Sequence, residues 1–228
     1  MSSRPRLTPA IAAATLLLGV AGCTRLDEAN AAGIPHDDLV SATAAQLARV
    51  TGLTYTATYR VTGGDTATVT QGQQPTRTAY VYPGGRLVQT GTGTIRCQGD
   101  APAPACTETA PAPATAIPLT GSALVTPEAA LALLNAASLD RDLDSVPHDT
   151  TIAGRHAACL ELSRVDGTPT DEFGLCVTNE GALASFTATI AGRRYEQALT
   201  AYAEKADPAD LLLPAGAKLT DKRSKTGR

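Results

Sequence analysis

A chain of 228 residues with 22 acids against 19 Lys and Arg carries a formal net charge of −3. That balance excludes a nucleic-acid-binding body, which needs clustered cations to meet phosphates. The length suits one domain, or at most two, with a full hydrophobic core.

In chain order, Arg4 and Arg6 come first, then the apolar run Ile11 to Val20, then Val20-Ala21-Gly22-Cys23. This is the pattern of a lipoprotein signal peptide over residues 1–22. It has a positive n-region and an apolar segment shorter than the roughly 20 residues that span a bilayer. Small residues then allow cleavage before a cysteine. Cys23 is accordingly the expected lipidation site, and its diacylglyceryl group makes the membrane a partner. The expected location is the outer face of the cytoplasmic membrane. One acyl chain alone holds weakly, so the diacyl group matters for anchoring. Removing the leader takes away two arginines and no acids, so the body is more acidic than the whole chain. Residues 23–35 have no useful periodicity and read as a lipidated tether.

Pro35-His36-Asp37-Asp38 places acids at the head of a helix over about 37–50, with Leu39, Val40, Leu47 and Val50 on its apolar face. From Thr54 the period changes to two. Tyr55, Ala57, Tyr59 and Val61 alternate with Thr56, Thr58 and Arg60, as in a half-buried strand. Gly63-Gly64-Asp65 turns the chain into a second strand, and strands near 77–82 and 86–96 follow. Residues 98–126 are rich in Pro and Ala and read as a long loop. Thr126-Pro127-Glu128 has the order of a helix start: cap, proline, acid. Leu131, Leu133, Leu134 and Leu139 supply that helix's apolar positions.

With Cys23 used for lipid, Cys97, Cys106, Cys159 and Cys176 remain. Outside the cytoplasm an even number of cysteines reads as disulfides. Three pairings are possible, and sequence order favours Cys97–Cys106 and Cys159–Cys176. Zinc is a poor alternative, because the spacings are long and no Cys-x-x-Cys occurs. If Asp166-Gly167-Thr168-Pro169 is a turn, its antiparallel flanks set Cys159 opposite Cys176, Leu160 opposite Leu175 and Leu162 opposite Phe173. A second turn at Glu180-Gly181 sets Leu175 against Phe186, Phe173 against Ala188 and Cys176 against Ser185. One register puts the disulfide on one face and the apolar rows on the other, and a one-residue slip would destroy both. Leu211-Leu212-Leu213-Pro214 closes the domain over 36–217. Residues 218–228, with Lys222, Arg223, Lys225 and Arg228, read as a disordered basic tail. Contact of that tail with anionic headgroups is the sharper alternative.

Catalytic patterns are missing from the sequence. His36 sits at a helix start, His148 in the stretch Val146-Pro147-His148-Asp149 read as a loop, and His156 at a strand start. No two histidines have ligand spacing, and there is no Gly-x-Ser-x-Gly elbow. Asp140, Asp142 and Asp144 alternate like calcium ligands, but the required Gly and distal Glu are missing. The expectation is a protein that is not an enzyme and has no metal and no cofactor.

The lipobox, the first helix and Tyr59-Arg60-Val61-Thr62-Gly63 together resemble the LolA-like half-barrel lipoproteins, of the mycobacterial LppX and LprG type. So do the helix from Pro127, the stretch Ile152 to Cys159, Cys176-Val177-x-x-x-Gly181 and Leu213-Pro214-Ala215-Gly216-Ala217. The composition, with Arg far commoner than Lys, is similar to that of actinobacterial proteins. The resemblance implies an α+β fold, a curved antiparallel sheet forming a half barrel with helices packed over one face. It also implies an apolar cavity for a lipid or glycolipid ligand. Tyr55, Tyr59, Val61, Val69, Leu160, Leu162, Phe173, Leu175, Phe186 and Ile190 are its candidate walls. A monomer is expected. The alternative within the same fold is a protein-interaction or sensory lipoprotein, such as a regulator of an envelope stress response, with no lipid cargo.

Overall fold

The computed structural model describes residues 36–99 and 103–223. The lipobox, Cys23, the tether and the last five residues of the basic tail lie outside them. Helix α1 (His36–Ala48) runs into a 3₁₀ turn at Arg49–Gly52. Val40, Ala44 and Leu47 recur at helical spacing and are buried, which gives α1 the single apolar stripe that docks it.

Six strands follow as a meander: β1 (Tyr55–Val61), β2 (Thr66–Gln73), β3 (Thr76–Tyr82), β4 (Gly85–Thr90), β5 (Thr94–Gln98) and β6 (Ala105–Thr109). Helix α2 (Pro127–Ala137) leads to a second meander, of β7 (Asp144–Ile152), β8 (Arg155–Ser163), β9 (Glu172–Thr178), β10 (Leu183–Ile190) and β11 (Arg193–Ala203). β11 pairs antiparallel with β1 and joins the two meanders. A last strand, β12 (Lys218–Asp221), pairs parallel with β6. The result is one curved, unclosed sheet of twelve strands in the order β12-β6-β5-β4-β3-β2-β1-β11-β10-β9-β8-β7. With two helices on one face this is the half barrel expected from the resemblance, except that the sheet is mixed.

The expected register of β8, β9 and β10 is the observed one. Cys159 faces Cys176, Leu160 faces Leu175 and Leu162 faces Phe173. Leu175 then faces Phe186, Phe173 faces Ala188 and Cys176 faces Ser185. Both disulfides, Cys97–Cys106 and Cys159–Cys176, join directly opposed residues of neighbouring strands. Thr126 caps α2 as expected, its hydroxyl accepting a hydrogen bond from Ala129 N at 3.1 Å.

Four expectations need correction. The segment 86–96 is two strands, because Gly91–Gly93 makes a tight turn closed by Thr90 N to Gly93 O at 2.9 Å. Ala105–Thr109 is a strand and not loop, because the Cys97–Cys106 bond holds it in the β5 ladder. His148 lies in strand β7 and not in a loop. β7 is an edge strand mostly exposed on both faces, so no apolar alternation announces it. Leu139 lies past the end of α2 and is 83% exposed.

The C-terminal segment also departs from a disordered tail, since residues 218–221 form β12. On its way from β11 to β6 the chain crosses the outer face of the first meander. Asp207 N donates to Thr56 Oγ1 at 3.0 Å and Thr70 Oγ1 donates to Asp210 Oδ2 at 2.8 Å. Arg86 donates to the Leu212 carbonyl at 2.5 Å. Gly72 leaves the room that Leu211 uses: a Cβ there would stand 3.1 Å from Leu211 Cδ1.

Candidate functional site

The concave face of the half barrel is the candidate site, and it is covered in two different ways. Over β8, β9 and β10 the cover is helical. Val40, Ala44 and Leu47 of α1 and Ala130, Leu133, Leu134 and Ala137 of α2 pack in one cluster with Leu160, Leu162, Phe173, Leu175 and Phe186. Phe173 and Phe186 stack with ring centroids 6.4 Å apart. The turn at Gly181 positions α1, because an added Cβ there would sit 2.7 Å from the Gln46 carbonyl.

Over β1 to β4 the cover is the Pro/Ala-rich stretch 110–126. Its Ala114, Leu119 and Leu124 are buried in a second cluster with Tyr55, Ala57, Tyr59, Val61, Val69, Tyr80, Tyr82 and Leu87. Thr120-Gly121 forms a tight turn with Gly121 at φ 84°, closed by Ser122 N to Leu119 O at 2.9 Å. The stretch is fastened by side chains. Arg96 donates to Thr120 O at 2.9 Å and Gln89 to Ala112 O at 2.7 Å. The Gln197 amide holds both backbone groups of Val125, receiving its N–H at 2.8 Å and donating to its carbonyl at 3.0 Å.

The candidate wall residues divide between the two clusters. Leu160, Leu162, Phe173, Leu175 and Phe186 belong to the helix-covered cluster, with Ile190 packed against it. Tyr55, Tyr59, Val61 and Val69 belong to the loop-covered one. All except Ile190 are buried among other side chains. A bond from Tyr59 Oη to Leu183 O at 2.8 Å ties the two halves.

Polar chemistry gathers on the loop-covered side. Glu128, in the first turn of α2, accepts a hydrogen bond from Tyr80 Oη at 2.8 Å. Burial pushes the phenols of Tyr55, Tyr59 and Tyr80 well above their ordinary pKa, and the nearby Glu128 carboxylate adds to the shift. At the rim a pocket of about 650 Å³ opens between the turns at Thr62–Asp65, Pro83 and Arg193 and the cover at Pro118–Ala123. Tyr82 and Tyr195 line it, and the Arg193 guanidinium lies 5.7 Å from the Tyr195 ring centroid. Sequence reasoning did not single out Tyr80, Glu128 or Gln197. The visible signal was only the acid at a helix start, which reads as capping chemistry.

The remaining sequence candidates hold structure together. His156 Nδ1 lies 3.3 Å from Asn179 Oδ1. Asp140 accepts from Asp142 N and Asp166 N, which hold its carboxyl below the usual range, and Asp144 pairs with Arg164. The Asp140 contacts close a turn, and the Asp144–Arg164 pair stands at the start of β7.

No family model and no curated protein matches the chain. Solved structures do match. MucB aligns with 80% of this chain at 13% identity and TM-score 0.53, and MucB in complex with MucA(peri) aligns with 78% at 15% and 0.51. An uncharacterised conserved protein from Thermus thermophilus aligns over 81% of this chain and 99% of its own, at 11% identity and TM-score 0.50. The chain spans less than two thirds of the MucB chains it matches, 66% and 60%. At these identities the likeness is one of fold alone.

Proposed function

We propose that this chain is a lipid-anchored envelope lipoprotein of the LolA-like group, held outside the cytoplasmic membrane through Cys23. In this reading its half barrel binds an acyl chain of a lipid or glycolipid. The observation that carries the reading is the cover over β1 to β4. It is an irregular loop that inserts three aliphatic side chains, Ala114, Leu119 and Leu124, against buried tyrosines, beside a rim pocket of about 650 Å³. An acyl chain entering at the rim would replace those side chains in kind, and the loop has no sheet ladder to break as it lifts. The reading assigns no reaction to the protein.

The test is native mass spectrometry of the full chain purified from membranes of its own host. A bound lipid of defined mass, beyond the anchor, is the expected result. A bare protein that takes up no lipid when offered envelope extracts overturns it. A second reading rests on the fact that side chains of the chain itself fill the concave face, and on the protein–protein complex that a MucB structure provides for this fold. In it the half barrel recognises a protein partner. Recovery of one defined partner by cross-linking in membranes, without lipid, decides for that reading.

A further inference from the structure

The two disulfides sit in matching positions with different neighbours. One row across the sheet reads Arg86, Cys97, Cys106, Leu219. The other reads His148, Cys159, Cys176, Ser185. Directly opposed residues of adjacent strands share a face, with Cβ atoms about 4.5–5.5 Å apart. In the second row this brings an imidazole beside the sulfurs. The ligand atoms of His148, Cys159 and Cys176 all lie within 4.8 Å of one another. They are the only such trio of His, Cys, Asp or Glu among the described residues. Both cysteines are buried, against Ala157 and Ala184, whereas His148 is exposed.

We propose that His148, Cys159 and Cys176 form a binding site for one thiophilic metal ion, zinc in type, once their disulfide is reduced. A dithiol reductant supplies two electrons and two protons. The S–S bond breaks, two thiols form, and the reductant becomes a disulfide. An entering Zn²⁺ displaces both thiol protons, and the neutral imidazole completes three protein ligands. Zn–S bonds of about 2.3 Å and a Zn–N bond of about 2.0 Å place tetrahedral ligand atoms roughly 3.5–3.8 Å apart, so the sulfurs, bonded to each other in the disulfide, must separate on reduction while the trio stays within its 4.8 Å span. The fourth position faces the exposed His148 side, where water can enter. Thiolate and imidazole together favour such soft or borderline ions over magnesium or calcium. The metal and the disulfide exclude each other, so the row has two states set by its redox condition. No sequence motif signals this site, because the register of β7, β8 and β9 assembles it from residues far apart in the chain.

The experiment uses the full chain carrying Cys23→Ser, Cys97→Ser and Cys106→Ser, which leaves one cysteine pair. It is reduced anaerobically, freed of reductant and titrated with Co²⁺. The expected result is thiolate-to-cobalt charge-transfer absorption that saturates at one ion per chain and is bleached by Zn²⁺. The oxidised chain shows none. His148→Ala weakens binding by about tenfold or more, the scale on which lost site contacts act. As a second readout, Zn²⁺ present during reduction slows alkylation of Cys159 and Cys176 in the parent and not in the His148→Ala chain. Absence of the absorption overturns the proposal, as does absorption unchanged by His148→Ala. Loss of the sheet signal in circular dichroism on reduction, with no rescue by Zn²⁺, overturns it equally.

Discussion

The helix-covered and loop-covered halves of the concave face bury similar kinds of surface but hold their covers differently. Under α1 and α2 the contacts are aliphatic and phenylalanine side chains, so lifting a helix would expose apolar area at about 25 cal/mol per Å². Under the 110–126 stretch the lining is tyrosine-rich, and Arg96, Gln89 and Gln197 make side-chain bonds to the cover's backbone. The exposed Arg96 and Gln89 bonds contribute only about 0.5–1.5 kcal/mol each, because water can replace either partner. The comparison teaches where the molecule can open. The helical half is the scaffold, and on the function proposed above the loop half is where a ligand enters.

The strongest way to break that comparison is to cut one side chain from each half. Phe186→Ala should cost about 3–5 kcal/mol, since the interlocked helices cannot collapse into the gap. Leu124→Ala should cost near the lower end of its class, about 2 kcal/mol, because an irregular cover can settle. Urea midpoints at unchanged slope measure both, and equal costs would remove the distinction. The disulfides come next. Replacing Cys159 and Cys176 by Ser, or Cys97 and Cys106 by Ser, should each cost about 2–4 kcal/mol. Their sequence separations are 17 and 9, so loop entropy makes the first pair the costlier by only about 0.6 kcal/mol. A much larger gap in urea midpoints would mean that native packing, and not chain entropy, dominates.

The ladder of β8, β9 and β10 was legible down to the residue because two turns, a cysteine pair and an apolar face all constrained the same register. α2 was legible from its cap. β7 was not, because an edge strand exposed on both faces has no period to read. β12 was hidden for a similar reason: four exposed residues find their place only through the parallel ladder with β6. The cover over β1 to β4 was read as part of a long Pro/Ala-rich loop. Its composition could not disclose that Ala114, Leu119 and Leu124 reach the core, since Pro-rich segments carry no periodicity. The wall residues were recognised as inward-facing, but their division between two covers depends on how the sheet curves.

A smaller effect sharpens the contrast between tyrosine and phenylalanine linings. Burial raises the folded-state pKa of Tyr55, Tyr59 and Tyr80 above the ordinary value, which is near 10. Above about pH 10 the unfolded chain loses phenol protons that the folded chain keeps. Stability is therefore whole below that pH and falls as pH rises toward the folded pKa, by up to about 1.4 kcal/mol per pH unit for each tyrosine. Tyr80→Phe should reduce the alkaline slope by one tyrosine's share in melts taken across that range, whereas Phe186→Leu should leave it alone. An unchanged slope in Tyr80→Phe would mean that this phenol already ionises in the folded state.

The smallest expected effect addresses the cover directly. Arg96 donates to Thr120 O at 2.9 Å and to Tyr82 Oη at 3.3 Å, tying the turn at Thr120-Gly121 to the rim. Arg96→Ala should lower global stability by only about 0.5–1.5 kcal/mol. Its consequence should be local, since regions open with their own free energies. The Leu119 amide, bonded to Leu124 O at 2.8 Å, should exchange its hydrogen up to about tenfold faster, as expected where a loss of about 1.4 kcal/mol falls on one opening step. The Leu160 amide, in the β8 ladder beneath the helices, should stay as slow as before. Equal acceleration at both sites would mean that cover and scaffold open as one unit. Acceleration confined to Leu119 would mark the rim as the door, with Arg96 as its latch.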